Sequence, residues 1–428
     1  MNFKDFINKR ENNEPHTKEE ISYFIKNLNG FSQEEIASWL RAVKKNGLSD
    51  IETATLTLEM ANSGTVLNWD GLEPLVDKHS SGGIGDKITF LFVPLIAAYK
   101  KKKIRVAKLS GRGLGITGGT IDKLESIEGF KTNLSISEMK EQIKKIGLAI
   151  CSASADLAPA DKRLYAIRDV TDTIDSIPLI ASSIMSKKIA GGSKNIILDV
   201  KFGSGAFMKS KDDAKLLAKT MVSIGKNLNK KIKAVLSNMN EPLGYAIGNS
   251  LEIKESLEVL NGKEVNDLVE ITIVLAREVI SLVDKIDADI DNNLKELLLG
   301  GEALKKFKEM IIAQGGNTDF STLKKANYIE VIQSSISGYV SNVNAQSIGE
   351  VVHSIGAGRK EVTDSIDHSV GIVLGKKHGD FVNIGDPLFE IHVKNKEDIS
   401  SVKGKLLNSF TFSQNKIPKL KLIEAIIT

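Results

Sequence analysis

The sequence has very little cysteine and no apolar stretch long enough for a membrane helix. Cys151 is the one cysteine among 428 residues, so no disulfide can form within the chain. The longest apolar stretch, residues 89–99, is too short to span a bilayer and contains Pro94. The charged start of the chain is followed by no apolar region of the kind that signal peptides have. We therefore expect a cytoplasmic protein without a membrane partner.

Neither sign of charge is in large excess, and aromatic residues are few. The chain has 58 basic and 54 acidic residues, a net charge of +4, and 5% aromatic residues. Nucleic-acid binders usually carry a basic stripe with aromatic residues, whereas the longest basic run here, residues 100–103, is typical of a solvated loop. Neither CxxC, HExxH nor a spaced carboxylate cluster is present. We expect neither a nucleic-acid partner nor a catalytic metal.

The length of the chain exceeds what one hydrophobic core usually supports, so we expect two or three domains. The first 65 residues have a helical pattern. Thr17, Ser32 and Ser49 are each followed three residues later by glutamate, which is the capping-box pattern of helix starts. Three short helices are therefore predicted to fill most of residues 1–65.

A different pattern follows, in which short β-branched runs alternate with helical segments. The predicted strands are 104–109, 148–151, 195–200 and 232–236, and the predicted helices between them include 136–146 and 213–228. This alternation is typical of βαβ units and a mainly parallel sheet. A purely helical insert, about residues 160–190, interrupts it, with Pro178 in the first turn of its last helix.

The last part of the chain, from about residue 334, has a third pattern. Short strands at 370–374, 380–384 and 388–393 are separated by glycine-containing turns. This predicts an antiparallel, hairpin-rich α+β domain. The predicted fold class is therefore α/β, with an all-helical domain, a mainly parallel α/β domain and a C-terminal α+β domain.

The strongest local feature is the run KHSSGGIGDKIT at residues 78–89. Gly82, Gly83 and Gly85 allow the backbone to approach an anion, and the following helix directs its positive dipole end toward it. Lys78 adds charge, and Ser80 and Thr89 add hydroxyl donors. The run predicts a phosphate site, although a glycine-rich surface turn is the alternative. It is neither a P-loop nor a dinucleotide fingerprint, because its lysine precedes the glycines.

A second glycine-rich run, SGRGLGITGGTIDKLE, occupies residues 110–125 and follows the predicted strand 104–109. It is therefore predicted at the carboxyl end of a strand, where α/β sheets bind ligands. Ser110 and Thr120 suit an anion, and the two glycine loops could converge on one phosphate. Arg112 and Asp122 have two open interpretations, an ion pair that braces the loop or a direct role in binding.

The helical insert carries a candidate base-binding face. Ser183 and Lys187 are four residues apart and so share a helix face, and Arg168 lies one helix earlier. A lysine and an arginine from two helices could hold the carbonyl oxygens of a planar base. The alternative for Lys187 is a surface lysine with its stem on apolar neighbours.

His79 is the only histidine within a glycine-rich run. It could donate a proton to a leaving base. The alternative is a loop histidine that only forms hydrogen bonds.

Several runs together resemble the thymidine and pyrimidine-nucleoside phosphorylase family. The resemblance extends from Thr17 to about His392 and is carried by residues 77–80, 110–125, 157–163, 168–171, 175–179, 199–208, 243–249 and 356–359. It implies a helical domain for dimerisation and base binding (1–66 and 159–191), an α/β phosphate-binding domain (67–158 and 192–333) and a C-terminal α+β domain (334–428). It also implies a homodimer whose interdomain cleft closes on phosphate and nucleoside.

The resemblance also implies roles for individual residues. The phosphate ligands would be Lys78, Ser80, Gly82, Gly83, Thr89, Ser110 and Thr120. The nucleoside ligands would be Arg168, Ser183, Lys187, Leu114, Tyr165, Ile180 and Phe207, with His79, Arg168 and Lys187 as the catalytic group. Inorganic phosphate would be the co-substrate, and no catalytic cofactor is expected.

Some relatives hold a structural potassium ion, and the matching positions here are Gly85, Lys87, Leu243, Ala246 and Glu255. Three positions depart from the family pattern. Lys87 replaces a small or hydroxyl residue, Ile116 replaces a usual histidine, and Ala153 replaces a usual glutamine.

The resemblance implies phosphorolysis of thymidine- or uridine-type nucleosides to the free base and an α-sugar 1-phosphate. Two alternatives stay open. One is an enzyme similar to anthranilate phosphoribosyltransferase, which would need a diphosphate loop and a magnesium site. The other is a non-catalytic relative that binds nucleosides or phosphate.

Overall fold

A computed structural model describes residues 2–113, 115–154, 156–359, 361 and 363–428. The predicted nucleoside ligand Leu114 lies outside the described residues. No helix among the described residues is long and apolar enough to cross a membrane.

Four helices, not three, fill the start of the chain. They are α1 (Phe3–Glu11), α2 (Lys18–Lys26), α3 (Gln33–Asn46) and α4 (Asp50–Asn62). The predicted capping boxes at Thr17, Ser32 and Ser49 are all present. Our prediction of three helices was wrong because α1 begins without a capping box. Asn2 alone caps it, and the helix is stabilised by burial of Phe3 and Phe6.

The middle of the chain supplies the helices that surround the central sheet and the helical insert. They are α5 (Ile88–Ala98), α6 (Thr120–Leu124), α7 (Ile136–Ile146), α8 (Pro159–Asp169), α9 (Ile177–Ala190), α10 (Lys211–Asn227), α11 (Asn249–Leu260), α12 (Asn266–Ile280), α13 (Ile290–Leu299) and α14 (Glu302–Ala313). The C-terminal part adds α15 (Ala345–Val352) and α16 (Glu397–Leu407). Residues of α8 and α9 join those of α1 to α4 in one apolar cluster, so two separate chain segments build one helical layer.

Three sheets complete the fold, which confirms the predicted class. The strands are β1 (Leu75–Ser80), β2 (Arg105–Ser110), β3 (Leu148–Ser152), β4 (Asn195–Phe202), β5 (Lys231–Asn238), β6 (Ala246–Ile247), β7 (Tyr328–Gln333), β8 (Gly338–Val343), β9 (Gly371–Leu374), β10 (Phe381–Val382), β11 (Pro387–Val393), β12 (Phe410–Ser413) and β13 (Ile423–Ile427). The six-stranded central sheet has the order β13-β5-β4-β1-β2-β3 and is parallel except for β13.

Strand β1 lies where the strand order of the central sheet reverses. Its neighbours are β2 on one side and β4 on the other. In open α/β sheets, ligands bind outside the carboxyl ends of the strands at such a point. The sequence did not predict β1 as a strand, because Asp77, Lys78 and His79 interrupt the apolar pattern that marks a buried strand.

The two smaller sheets are antiparallel, as predicted for the C-terminal part. Three strands lie across the boundary predicted at residue 334. Strands β6 and β7 precede that boundary but pair with β9 and β11, respectively. Strand β13 follows it but returns to the central sheet, where it pairs with β5. Pairings this distant along the chain leave no local sequence signal.

Candidate active site

The two glycine loops follow β1 and β2 and line one cavity at the carboxyl edge of the sheet. The cavity has a volume of about 420 Å³, which is within the range of small-molecule sites. Of the predicted ligands, it brings together His79, Ser80, Gly82, Gly83, Thr89, Ser110, Thr120 and Lys187. Ala153 also lines it. One cavity therefore holds candidate phosphate ligands on one side and Lys187 on another.

The second glycine loop folds back tightly on itself. A Cβ added to Gly119 would lie 2.1 Å from the backbone nitrogen of Gly113, so any other residue at this position would push the two limbs of the loop apart. Arg112 and Asp122 form an ion pair at 3.1 Å, and Arg359 donates to the same carboxylate oxygen of Asp122 at 2.9 Å. The bracing interpretation of this ion pair is the one that the geometry supports.

Lys78 is completely buried beneath the first loop. Among the described residues, its Nζ has no hydrogen-bond partner. The nearest carboxylate oxygens are Oδ2 of Asp199 at 3.6 Å and Oδ1 of Asp86 at 3.9 Å. A buried ammonium without hydrogen bonds costs free energy. Lys78 is not among the described residues that line the cavity.

Asp86 lines the cavity and is held as a carboxylate. Burial alone would raise the pKa of Asp86, but the ammonium groups of Lys201 and Lys78 bring it below its ordinary value. Ser80 Oγ donates a hydrogen bond to Asp86 Oδ2 at 2.5 Å and accepts one from the Gly82 amide at 3.1 Å. The Ser80 hydroxyl must rotate away from Asp86 before it can donate to a phosphate.

His79 is buried against the same cavity. Burial, followed by repulsion from the Lys188 and Lys108 ammonium groups, holds the pKa of His79 well below its ordinary value. Its Nε2 has no hydrogen-bond partner within the described ranges. The imidazole is therefore neutral at pH 7 in this state, and it can donate a hydrogen bond to a ligand but carries no proton to release.

Lys187 and Ser183 share one face of α9, as predicted. Lys187 Nζ donates to Asp161 Oδ2 at 2.5 Å and to Ser183 Oγ at 3.3 Å. The Lys187 side chain is 45% exposed and lines the cavity. The ammonium group of Lys187 is thus held in place by hydrogen bonds to Asp161 and Ser183, unlike that of a surface lysine without a fixed position.

Arg168 has a different position from the one we predicted. Its Nε, Nη1 and Nη2 donate to the backbone carbonyls of Thr173, Leu179 and Ile174, at 3.3, 3.1 and 2.7 Å. The guanidinium is buried, and burial lowers its pKa. Arg168 therefore braces the connection between α8 and α9. The sequence could not show this, because the acceptors are backbone carbonyls of the connecting loop and of the first turn of α9.

Other predicted nucleoside ligands also lie outside the cavity. Ser183, Tyr165, Ile180 and Phe207 are not among the described residues that line it, and neither is Arg168. Tyr165 stacks against Arg168, whose Cζ is 5.7 Å from the ring centroid. Ile180 belongs to an apolar core cluster, and the Phe207 side chain is exposed.

The departure at Ile116 faces the C-terminal part of the chain. Ile116 packs against the apolar cluster that contains Ile348 and Val352 of α15, and it does not line the cavity formed by the two glycine loops. Ile116, at the position where the family usually has histidine, therefore contributes to the contact between the second glycine loop and α15.

Sequence reasoning missed several charged residues around the site. Lys108 lines the cavity, and burial next to Lys188 holds its pKa well below the ordinary value. Lys188 forms an ion pair with Asp77 at 2.8 Å, and Lys201 forms one with Asp199 at 2.8 Å. The available signal was a charged residue inside an otherwise apolar strand, as at Lys108, Asp199 and Lys201.

The five positions that match the potassium site of some relatives do come together. However, the Lys87 ammonium lies among them and donates to Leu243 O at 2.8 Å, Ala246 O at 2.8 Å and Glu255 Oε2 at 2.6 Å. The residues present therefore do not fit a potassium ion, because a covalently attached cation already occupies the space between these oxygens. This corrects our expectation of a structural potassium ion.

Comparison with known proteins places this site in a family. Residues 72–304, more than half of the chain, match the family model described as glycosyl transferase family, a/b domain. Residues 339–413 match the model of a pyrimidine nucleoside phosphorylase C-terminal domain. The chain is thus a glycosyl transferase of the class that the α/β domain defines.

Similar curated proteins narrow this class. The chain is 43% identical to a pyrimidine-nucleoside phosphorylase from Bacillus subtilis (strain 168), with 100% of both chains covered. It is 42% identical to that of Geobacillus stearothermophilus, with 99% of each covered, and 44% identical to that of Staphylococcus haemolyticus (strain JCSC1435), with 100% of each covered. This chain therefore belongs to the pyrimidine-nucleoside phosphorylase family.

A solved structure shares the fold at low sequence identity. Anthranilate phosphoribosyltransferase from Thermus thermophilus matches with a TM-score of 0.58 and 17% identity. The match covers 72% of this chain and 98% of the other. This likeness concerns the fold alone.

Proposed function

We propose that this protein catalyses the reversible phosphorolysis of uridine- or thymidine-type nucleosides to the free pyrimidine and α-ribose or deoxyribose 1-phosphate. The observation that carries the proposal is the single cavity that unites both glycine loops with Lys187. Full-length similarity to pyrimidine-nucleoside phosphorylases supports it.

Phosphate would bind between the two loops. Ser110, Thr120, Thr89 and the backbone of Gly82 and Gly83 surround that end of the cavity. Lys78 Nζ, which has no hydrogen bond within the described part of the chain, lies beneath it, next to Asp86. A dianion here would accept a hydrogen bond from Lys78 Nζ and offset the repulsion between Lys108 and Lys188.

The nucleoside would bind with its base toward Lys187. As the bond from C1′ to the base nitrogen breaks, its electron pair stays with the base, and negative charge develops on the base oxygens. The Lys187 ammonium stabilises that charge. A phosphate oxygen attacks C1′ from the opposite face and forms the new bond, which inverts the anomeric carbon and gives the α-sugar phosphate.

His79 would act as a hydrogen-bond donor to the leaving base. Its neutral imidazole can donate an N–H to a base oxygen, and a bound phosphate would offset the nearby lysine charges that lower its pKa. Arg168 would act through α8 and α9, since its buried guanidinium holds the loop that joins these helices.

The test is release of free base from thymidine, deoxyuridine, uridine and cytidine, each with and without phosphate and with and without magnesium. We expect release only when phosphate is present, and α-sugar 1-phosphate as the second product. A β-sugar phosphate would contradict direct displacement. No release from any nucleoside would favour a binding protein, and a magnesium requirement would favour a phosphoribosyltransferase.

We also propose the domain division and the homodimer that the resemblance implies, with the helical layer as the dimer interface. Sedimentation of the purified protein measures the assembly, and a monomer at micromolar concentration would contradict it.

A further inference from the structure

Lys87 occupies a closed cage behind the first glycine loop. Its side chain is completely buried, and its three hydrogen-bond acceptors are two backbone carbonyls and the Glu255 carboxylate. An ammonium group has three N–H donors, so each finds one acceptor. The cage is tight, because a Cβ on Gly244 would lie 2.8 Å from Lys87 Nζ.

The cage is built independently of the lysine. Glu255 Oε1 accepts a hydrogen bond from the Tyr245 amide at 2.8 Å, and Oε2 accepts one from the Ala246 amide at 3.0 Å. The carboxylate is therefore held in place by the backbone that supplies the two carbonyls. Carbonyl and carboxylate oxygens around one positive charge are also what a monovalent metal cation requires.

The contact connects parts that are far apart in the sequence. Lys87 directly precedes α5 and follows the first glycine loop, whereas Glu255 lies on α11. Ala246 belongs to β6, which pairs with β9 of a C-terminal sheet. The ammonium thus links the phosphate loop to the segment that supports the C-terminal part of the chain.

We propose that Lys87 is a built-in replacement for a monovalent cation. Its ammonium makes the loop and the segment 243–255 independent of potassium, and a short polar side chain at position 87 would open a site that potassium can fill. This inference rests on the cage geometry and is separate from the proposed catalytic function.

The test compares three proteins, wild type, Lys87→Thr and Lys87→Met, in KCl and in tetramethylammonium chloride at equal concentration. Thermal unfolding is the readout. Threonine leaves space and an oxygen, whereas methionine fills the space without charge. We expect the same wild-type Tm in both salts. We expect KCl to raise the Tm of Lys87→Thr saturably, by about 2 °C or more, and to leave that of Lys87→Met unchanged relative to tetramethylammonium.

Three results would overturn the proposal. One is a wild-type Tm that is higher in KCl than in tetramethylammonium chloride. The second is a Lys87→Thr variant with the same Tm in both salts. The third is an equal KCl response of the methionine variant. If Lys87→Thr does not fold in tetramethylammonium, its refolding yield is compared in the two salts. A yield that KCl increases supports the proposal, and an equal yield contradicts it.

Discussion

The first glycine loop is flanked by two completely buried lysines whose ammonium groups differ in their hydrogen bonding. Lys78 precedes the loop, and its Nζ has no hydrogen-bond partner among the described residues. Lys87 follows the loop, and its Nζ donates to three oxygens at 2.6–2.8 Å. Burial is the same for both side chains, so burial alone does not determine whether the donors of a lysine are used.

The difference lies in whether the hydrogen-bonding capacity of each ammonium is used. Buried polar groups in proteins are almost always hydrogen-bonded, so an unused buried donor needs an explanation. For Lys78 the phosphate proposed above would supply an acceptor, whereas the three donors of Lys87 are already used. The following predictions test this contrast, from the largest expected effect to the smallest.

Lys87→Met should lower the free energy of unfolding by about 3–5 kcal/mol. It leaves the buried Glu255 carboxylate without a cation and two carbonyls without donors. Urea unfolding measures the effect. Lys405→Met is the control, because Lys405 pairs with Glu350 at the surface and should cost less than about 1 kcal/mol. Equal effects of the two substitutions would contradict the structural role.

Lys78→Met should lower kcat/KM for phosphate at least about a hundredfold, as for removal of one charge-stabilising donor. It should destabilise the protein less than Lys87→Met does, because this ammonium has no hydrogen bond to lose within the described structure and Lys201 still lies 2.8 Å from Asp199 and 4.0 Å from Asp86. Steady-state kinetics and urea unfolding check both parts. A loss of stability as large as that of Lys87→Met would remove the contrast.

Gly244→Ala should be more destabilising than Gly71→Ala by about 1–3 kcal/mol. The two glycines have similar positive φ, +68° and +79°, so both substitutions introduce backbone strain of a similar kind. At Gly244 the new Cβ would meet Glu255 Oε2 at 2.5 Å and Lys87 Nζ at 2.8 Å, whereas at Gly71 it would meet no heavy atom within 4 Å. Similar unfolding midpoints for the two variants would show that the cage tolerates expansion.

Lys187→Ala should lower kcat at least about tenfold. Lys187 differs from the two buried lysines, because it has a carboxylate partner but is 45% exposed and lines the cavity. Kinetics with a saturating nucleoside measure the effect, with Lys405→Ala as the control. Unchanged kcat would place the base elsewhere.

His79→Gln should make stability less dependent on pH between 7 and 5. Burial holds the folded-state pKa of His79 below the unfolded value of about 6.5. Below pH 6.5 the unfolded chain therefore takes up a proton that the folded protein does not, and wild-type stability falls. The variant should avoid on the order of 1–2 kcal/mol of that loss. Urea unfolding at each pH measures the effect. Equal losses of stability in the wild type and the variant would contradict the lowered pKa.

Local signals made much of the fold predictable. Capping boxes located α2, α3 and α4, and apolar β-branched runs located β2 to β5 within one or two residues. Strand β1 was missed because it carries the charged residues of the site. Strand β13 and its pairing with β5 were not predicted, because this pairing depends on residues far away in the sequence.

The candidate site was predictable where residue type alone determines the chemistry. The two glycine loops and Lys187 do meet in one cavity. The positions of the Arg168 guanidinium and the Lys87 ammonium were not predictable, because five of their six hydrogen-bond acceptors are backbone carbonyls. For Lys87 those carbonyls lie 156 and 159 residues away, and only the folded chain brings them together.

Phosphate titration by isothermal calorimetry of the wild type, Lys78→Met and Lys87→Met tests the contrast most directly. We expect the wild type and folded Lys87→Met to bind phosphate with similar affinity, and Lys78→Met to bind it at least about tenfold more weakly. Wild-type affinity in Lys78→Met, or loss of binding in Lys87→Met while it remains folded, would contradict the division of roles between these two lysines.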